Sequence, residues 1–213
     1  MNDYSAPLDD INFLLNDVLN LSDILQLNKY SGLSESLINA VLDEAAKFAG
    51  KKLSPLNVVG DRQGAHSKDS VTTTPDGFKE AYKQFVQNGW NSVPFSVDDG
   101  GQGIPWLVST AISEMWSGAN FAFALCPLLT QGAVELLHSH GSLEQKEKYL
   151  SKLVSGEWTG TMCLTESQAG SDVGAVEGHG QLPRLGSNGE IATTISWSVQ
   201  PVTSVHRSHT PRM

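Results

Sequence analysis

Apolar residues return every three or four positions through most of the first 157 residues, which predicts a chain built from amphipathic helices. Leu8, Ile11, Leu15, Val18 and Leu19 outline a first helix over residues 8–20. Ser34 is placed to cap a second, whose stripe is Leu37, Ile38, Val41, Leu42, Ala45, Phe48 and Ala49. A third carries Phe78, Ala81, Tyr82, Phe85 and Val86 on one face, with Gly89 past its end. Pro105 suits the first turn of a fourth, with Leu107, Val108, Ala111, Ile112, Met115 and Trp116 inward. Residues 121–140 continue in the same style and stop at Gly141. The clearest helix start is Ser142, which with Gln145 spells a capping box. Leu143, Leu150, Leu153 and Val154 are expected to face inward from that helix, Glu144 and Lys148 to pair, and Gly156 to end it.

The period then changes. Trp158–Thr165 is apolar without helical spacing and reads as a first strand. Residues 60–77 are polar and rich in turn formers, an exposed connection. Residues 94–105, PFSVDDGGQGIP, form a glycine-rich loop that lacks both G-x-x-x-x-G-K-[ST] and G-x-G-x-x-G, so it is not read as a phosphate cradle. The pattern predicts a mainly α protein with about six helices in residues 1–157.

Charge and cysteine content narrow the function. A formal net charge of −9 without a basic patch argues against nucleic acid and against an anionic membrane surface. Cys126 and Cys163, both within apolar runs, make neither a disulfide framework nor a zinc spacing and read as buried thiols. The acidic start MNDYSAPLDD is unlike a signal peptide, and no apolar stretch is read as reaching the roughly 18 residues of a membrane span. A cytoplasmic location is expected.

Near residue 177 the composition shifts. The ten lysines all lie in residues 1–176, with Arg62, whereas residues 177–213 hold Arg184, Arg207 and Arg212 and no lysine. No aspartate follows Asp172. This tail admits three readings: a disordered linker, a small β segment around IATTISWSVQ, or an out-of-frame translation, which the lysine-to-arginine switch favours. His179, His206 and His209 have no spacing that points to a metal site. The expected organisation is a helical domain over 1–157, a first strand and turn over 158–176, and an aberrant, disordered tail over 177–213.

One stretch carries a resemblance. His140, Gly141, Ser142, Gln145, Lys146, Tyr149 and Leu150 match H-G-[ST]-x-x-Q-K-x-x-[YW]-L. Gly156 and Glu157 follow, and then Cys163, Leu164, Thr165, Glu166, Ala169, Gly170, Ser171 and Asp172 match [CA]-[LVM]-T-E-P-x-A-G-S-D. Together these resemble the N-terminal part of the acyl-CoA dehydrogenase family, as do Gly89-Trp90, Pro94 and Gly100-Gly101-x-Gly103 upstream. Tyr4–Asp10 resembles the longer subfamily that includes 3-methylmercaptopropionyl-CoA dehydrogenase. The resemblance covers about residues 1–176.

It implies a helical domain followed by the truncated start of a β domain, and an FAD enzyme that makes a 2,3-double bond in an acyl-CoA thioester. It implies that the main chain of Met162 and Leu164 and the hydroxyl of Thr165 bond the flavin ring. Ser171 is implied near the cofactor pyrophosphate and the acyl-CoA. Electrons then pass to an electron-transferring flavoprotein, and the full-length family form is a homo-oligomer. The family's catalytic glutamate belongs to a C-terminal helical domain, so no catalytic residue is assigned here and Glu166 is read as structural. Ser167 replaces the usual proline, and no run like G-x-K-x-[FW]-I-[ST] occurs in residues 177–213. The expectation is a fragment without activity by itself, the alternative being a non-catalytic helical interaction module that needs a partner chain.

Overall fold

The computed structural model describes residues 4–69, 71–163, 165, 169–172 and 196–201. Helices dominate, as the apolar periodicity requires. α1 (Leu8–Phe13) runs into a π-helical turn, Leu14–Val18, and α2 (Leu21–Leu25) follows. Ile11 and Leu15 are buried, but Val18 and Leu19 are about half exposed, so the first stripe is narrower than its spacing suggests. α3 (Glu35–Phe48) begins where expected: the Ser34 hydroxyl accepts from the Leu37 amide at 3.2 Å. Its buried face is Ile38, Leu42, Ala45 and Phe48, while Leu37 lies outside it.

The segment read as a plain connection is more ordered than that. α4 (Ser54–Gln63) enters it, and a hairpin of β1 (His66–Lys68) and β2 (Val71–Thr73) completes it. Periodicity could not show this, because α4 buries only Ser54 and both strands are exposed on every residue.

α5 (Phe78–Gln87), α6 (Trp106–Ala119) and α7 (Phe121–His140) build the main core together with α3. Trp116 is its hub, with edge-on ring contacts to Phe48 at 5.6 Å, Phe85 at 5.8 Å and Trp90 at 5.4 Å. Such pairs add to the area they bury through their ring quadrupoles. Buried Asn120 joins two elements: its Oδ1 accepts from the Phe123 amide, capping α7, and its Nδ2 donates to the Leu53 carbonyl. At the other end of the chain, Tyr4 packs on Gly118 of α6, where a methyl group would stand 2.9 Å from the phenol ring. The first described residues are thereby seated on the bundle.

Among the described residues, α7 is the one helix long and apolar enough to cross a membrane, with mean hydropathy 1.3. This corrects the reading that no apolar stretch has that length. Thr130, Gln131 and Glu135 interrupt the run in sequence, and in the fold α7 packs against α6 and the strand that follows the helices.

The capping box at Ser142 is complete, with the Gln145 amide donating to the Ser142 hydroxyl and the Ser142 amide to Gln145 Oε1. α8 (Leu143–Gln145), a π-helical turn (Lys146–Leu150) and α9 (Ser151–Ser155) form one rod. Leu150, Leu153 and Val154 join Phe95 and Val134 in a second apolar cluster. Leu143 does not: it is 80% exposed, and among the described residues nothing covers the first turn of the rod. Lys148 lies over the Tyr149 ring, and Lys152 rather than Lys148 makes the rod's ion pair, with Glu157 at 3.2 Å.

β3 (Trp158–Cys163) ends the helical part and pairs antiparallel with β4 (Ser196–Pro201), Trp158 opposite Pro201 and Cys163 opposite Ser196. Residues 177–195 and 202–213, with the tail histidines, lie outside the described residues.

Candidate functional site

The corner between α9 and β3 is fixed from three sides. Gly156 ends the helix with φ +79°, a left-handed conformation that glycine adopts without strain. The Tyr82 hydroxyl donates to the Gly156 carbonyl at 3.2 Å. Asn91, 1% exposed, donates its amide to the carbonyls of Leu153 at 2.7 Å and Val154 at 3.0 Å. Those carbonyls belong to the last helical turn, where intrahelical donors run out: the Gly156 amide reaches Leu153 at 3.1 Å, and Asn91 supplies the donor to Val154. Trp158 opens the strand beneath this corner, 6.1 Å from the Tyr149 ring and with the Lys152 ammonium 4.6 Å from its own.

Two residues further, β3 touches α7 backbone to side chain. The buried Gly160 amide donates to Thr130 Oγ1 at 3.2 Å, and the Thr130 hydroxyl donates to the Cys126 carbonyl at 2.9 Å. A Cβ on Gly160 would lie 2.4 Å from the Ala133 methyl carbon, so no other residue fits there without displacement. Thr130 and Asn91 are positions that sequence reasoning missed. The available signal was a hydroxyl inside an otherwise apolar helix face and an asparagine beside a core tryptophan.

Of the four residues expected to face a flavin, Met162 lies in β3, Thr165 just past its end and Ser171 in the A-G-S-D turn. Met162 is 39% exposed, and Thr165 and Ser171 are exposed. Leu164 lies outside the described residues, as do Glu166 and Ser167. Gly170 sits against Thr165: a Cβ at Gly170 would come within 3.2 Å of Thr165 Cγ2 and 3.7 Å of its Oγ1. The structure therefore brings Thr165 to the A-G-S-D turn.

The glycine-rich loop is anchored elsewhere, by Asp99 Oδ2 and His138 Nδ1 at 2.6 Å on the last turns of α7. Toward the start of α7, Phe121, Leu125 and Leu128 expose an apolar stripe. Beside it, burial pushes the Cys126 thiol from 9.0 up to about 11, and burial, then the Cys126 charge, raises the Tyr82 phenol well above its usual range. Both groups hold in the folded chain a proton that the unfolded chain releases. Stability is thus complete below the ordinary thiol range and falls as pH rises from 9.0 toward 11. Urea melts across that interval should show a declining midpoint, and peptide mapping after alkylation at neutral pH should find Cys126 unlabelled.

Residues 38–157 match the family model described as acyl-CoA dehydrogenase, N-terminal domain. The chain belongs to the acyl-CoA dehydrogenase family. It is similar to the 3-methylmercaptopropionyl-CoA dehydrogenase of Ruegeria pomeroyi, at 41% identity over 81% of this chain and 29% of that relative. Among solved structures it resembles butyryl-CoA dehydrogenase from Megasphaera elsdenii (TM-score 0.54, 25% identity, 66% of this chain and 35% of that one). It also resembles the FAD complex of PigA (TM-score 0.51, 25% identity, 66% and 34%). The chain spans less than a third of the length of the first curated relatives it matches, and its residues 38–157 correspond to the acyl-CoA dehydrogenase N-terminal domain.

Proposed function

We infer that this chain supplies the helical domain and the first flavin-facing strand of an acyl-CoA dehydrogenase. The observation that carries the reading is the approach of Gly170 to Thr165 past the end of β3, with Thr165 and Ser171 both exposed. These residues fit one edge of an FAD. The Thr165 hydroxyl and the main chain of Met162 and Leu164 would bond the ring, and Ser171 would meet the pyrophosphate and the acyl-CoA. Short side chains and Gly170 allow backbone amides to come close to such an anionic group.

FAD, when bound, supplies the acceptor for the hydride that leaves the β-carbon of the thioester. This chain's own residues bind and orient: the corner at Gly156 and the contact at Gly160 hold β3 in one place, which is what a near-attack geometry demands of its support. Removal of the α-proton is assigned to no residue of this chain. We expect cofactor binding without turnover from residues 1–213 alone. Within the longer assembly, electrons would pass to an electron-transferring flavoprotein, from a homo-oligomer in the cytoplasm.

Flavin fluorescence titration of the 213-residue chain tests the reading. Saturable FAD binding, weakened about fivefold in Thr165→Val through loss of one hydrogen bond, is the expected result. A flavin signal that never saturates overturns it.

A further inference from the structure

We propose that Thr130 is the positioning residue that sets the flavin-facing strand on the helical domain, an inference that rests on the flavin reading above. Thr130 lies in the middle of α7, is 0% exposed, and has no route to a ligand of its own. Its hydroxyl both donates and accepts. It donates to the Cys126 carbonyl one turn back and accepts the Gly160 amide, 30 residues ahead in sequence.

The first bond fixes the rotamer of Thr130, because its hydroxyl proton is committed to the helix. The Gly160 amide occupies one of the two lone pairs on that fixed oxygen. A strand amide that bonds a helix side chain cannot slide along that helix without losing its partner. Gly160 also has no side chain to hold it away, and Ala133 closes the space where one would stand. The strand is therefore pinned in register two residues before Met162 and five before Thr165. Hydroxyl, glycine and small alanine form one device, and its output is the position of the strand end.

The test uses the full chain with Thr130→Val, which keeps the shape and removes the hydroxyl, Thr130→Ala as a second variant, and Thr130→Ser, which restores the hydroxyl. The readings are amide exchange at Gly160 and FAD affinity. The expected result is about tenfold faster exchange at Gly160 and about tenfold weaker FAD binding in the valine and alanine variants, the effect of one buried donor left unpaired. Serine should recover both. Unchanged Gly160 exchange in the valine and alanine variants overturns the contact itself. Faster exchange with undiminished FAD affinity overturns the positioning role alone. If the unsubstituted chain binds no FAD, the flavin reading fails and the role toward a cofactor fails with it, while Gly160 exchange still decides whether the pin exists.

Discussion

Asn91→Asp should destabilise the chain by about 3–5 kcal/mol at neutral pH, the scale of a buried charge left without a partner. Asn91 is buried and gives both amide protons to carbonyl oxygens, those of Leu153 and Val154. An aspartate of the same shape offers no proton when ionised and sets a negative oxygen against two carbonyl dipoles. When protonated it can still donate one bond. Burial and the two carbonyls raise its folded pKa, so the variant is least damaged below the ordinary carboxylate range and loses stability as pH rises through the raised value. Asn91→Leu separates charge from hydrogen bonding: it leaves the carbonyl of Val154 unpaired and costs about 2 kcal/mol without that pH slope. Urea melts of the three proteins between mildly acidic and neutral pH decide the matter.

Gly160→Ala should cost about 3 kcal/mol, from overpacking against Ala133 and loss of the bond to Thr130 as the strand lifts. The clash has a specific partner, the Ala133 methyl carbon 2.4 Å from the new Cβ, while the next neighbours, Thr130 Cα and the Leu129 carbonyl, stand at 3.5 and 3.7 Å. Moving the methyl group across the interface should therefore relieve it. Ala133→Gly alone costs about 1 kcal/mol of helix propensity plus the burial of one methyl. The double variant should be no worse than that single one, a coupling of about 2–3 kcal/mol in a double-mutant cycle. Additive losses would mean that β3 and α7 do not meet as described.

The apolar stripes told most of the fold because helix burial is a local, periodic property. Ile38, Leu42, Ala45 and Phe48 lie inward as their spacing requires. The errors fall at Val18, Leu19, Leu37 and Leu143, since periodicity names a face but not the neighbour that must bury it. α4 escaped because it buries no apolar residue. The candidate site was legible through a contiguous motif, Cys163–Asp172, whose resemblance outran its physics: a threonine at a strand end and an A-G-S-D turn are common by themselves. What supports that motif was not legible. Thr130 meets Gly160 across 30 residues and Asn91 meets the end of α9 across more than 60, and no local pattern encodes a partner at that distance.

Hydrogen exchange of the 213-residue chain with and without FAD, read by peptide across the whole sequence, tests the central claim most directly. The account predicts that FAD slows exchange in peptides covering Met162 through Asp172 and leaves α1, α3 and α5 unchanged. Protection confined to other segments, or none at saturating FAD, would contradict it.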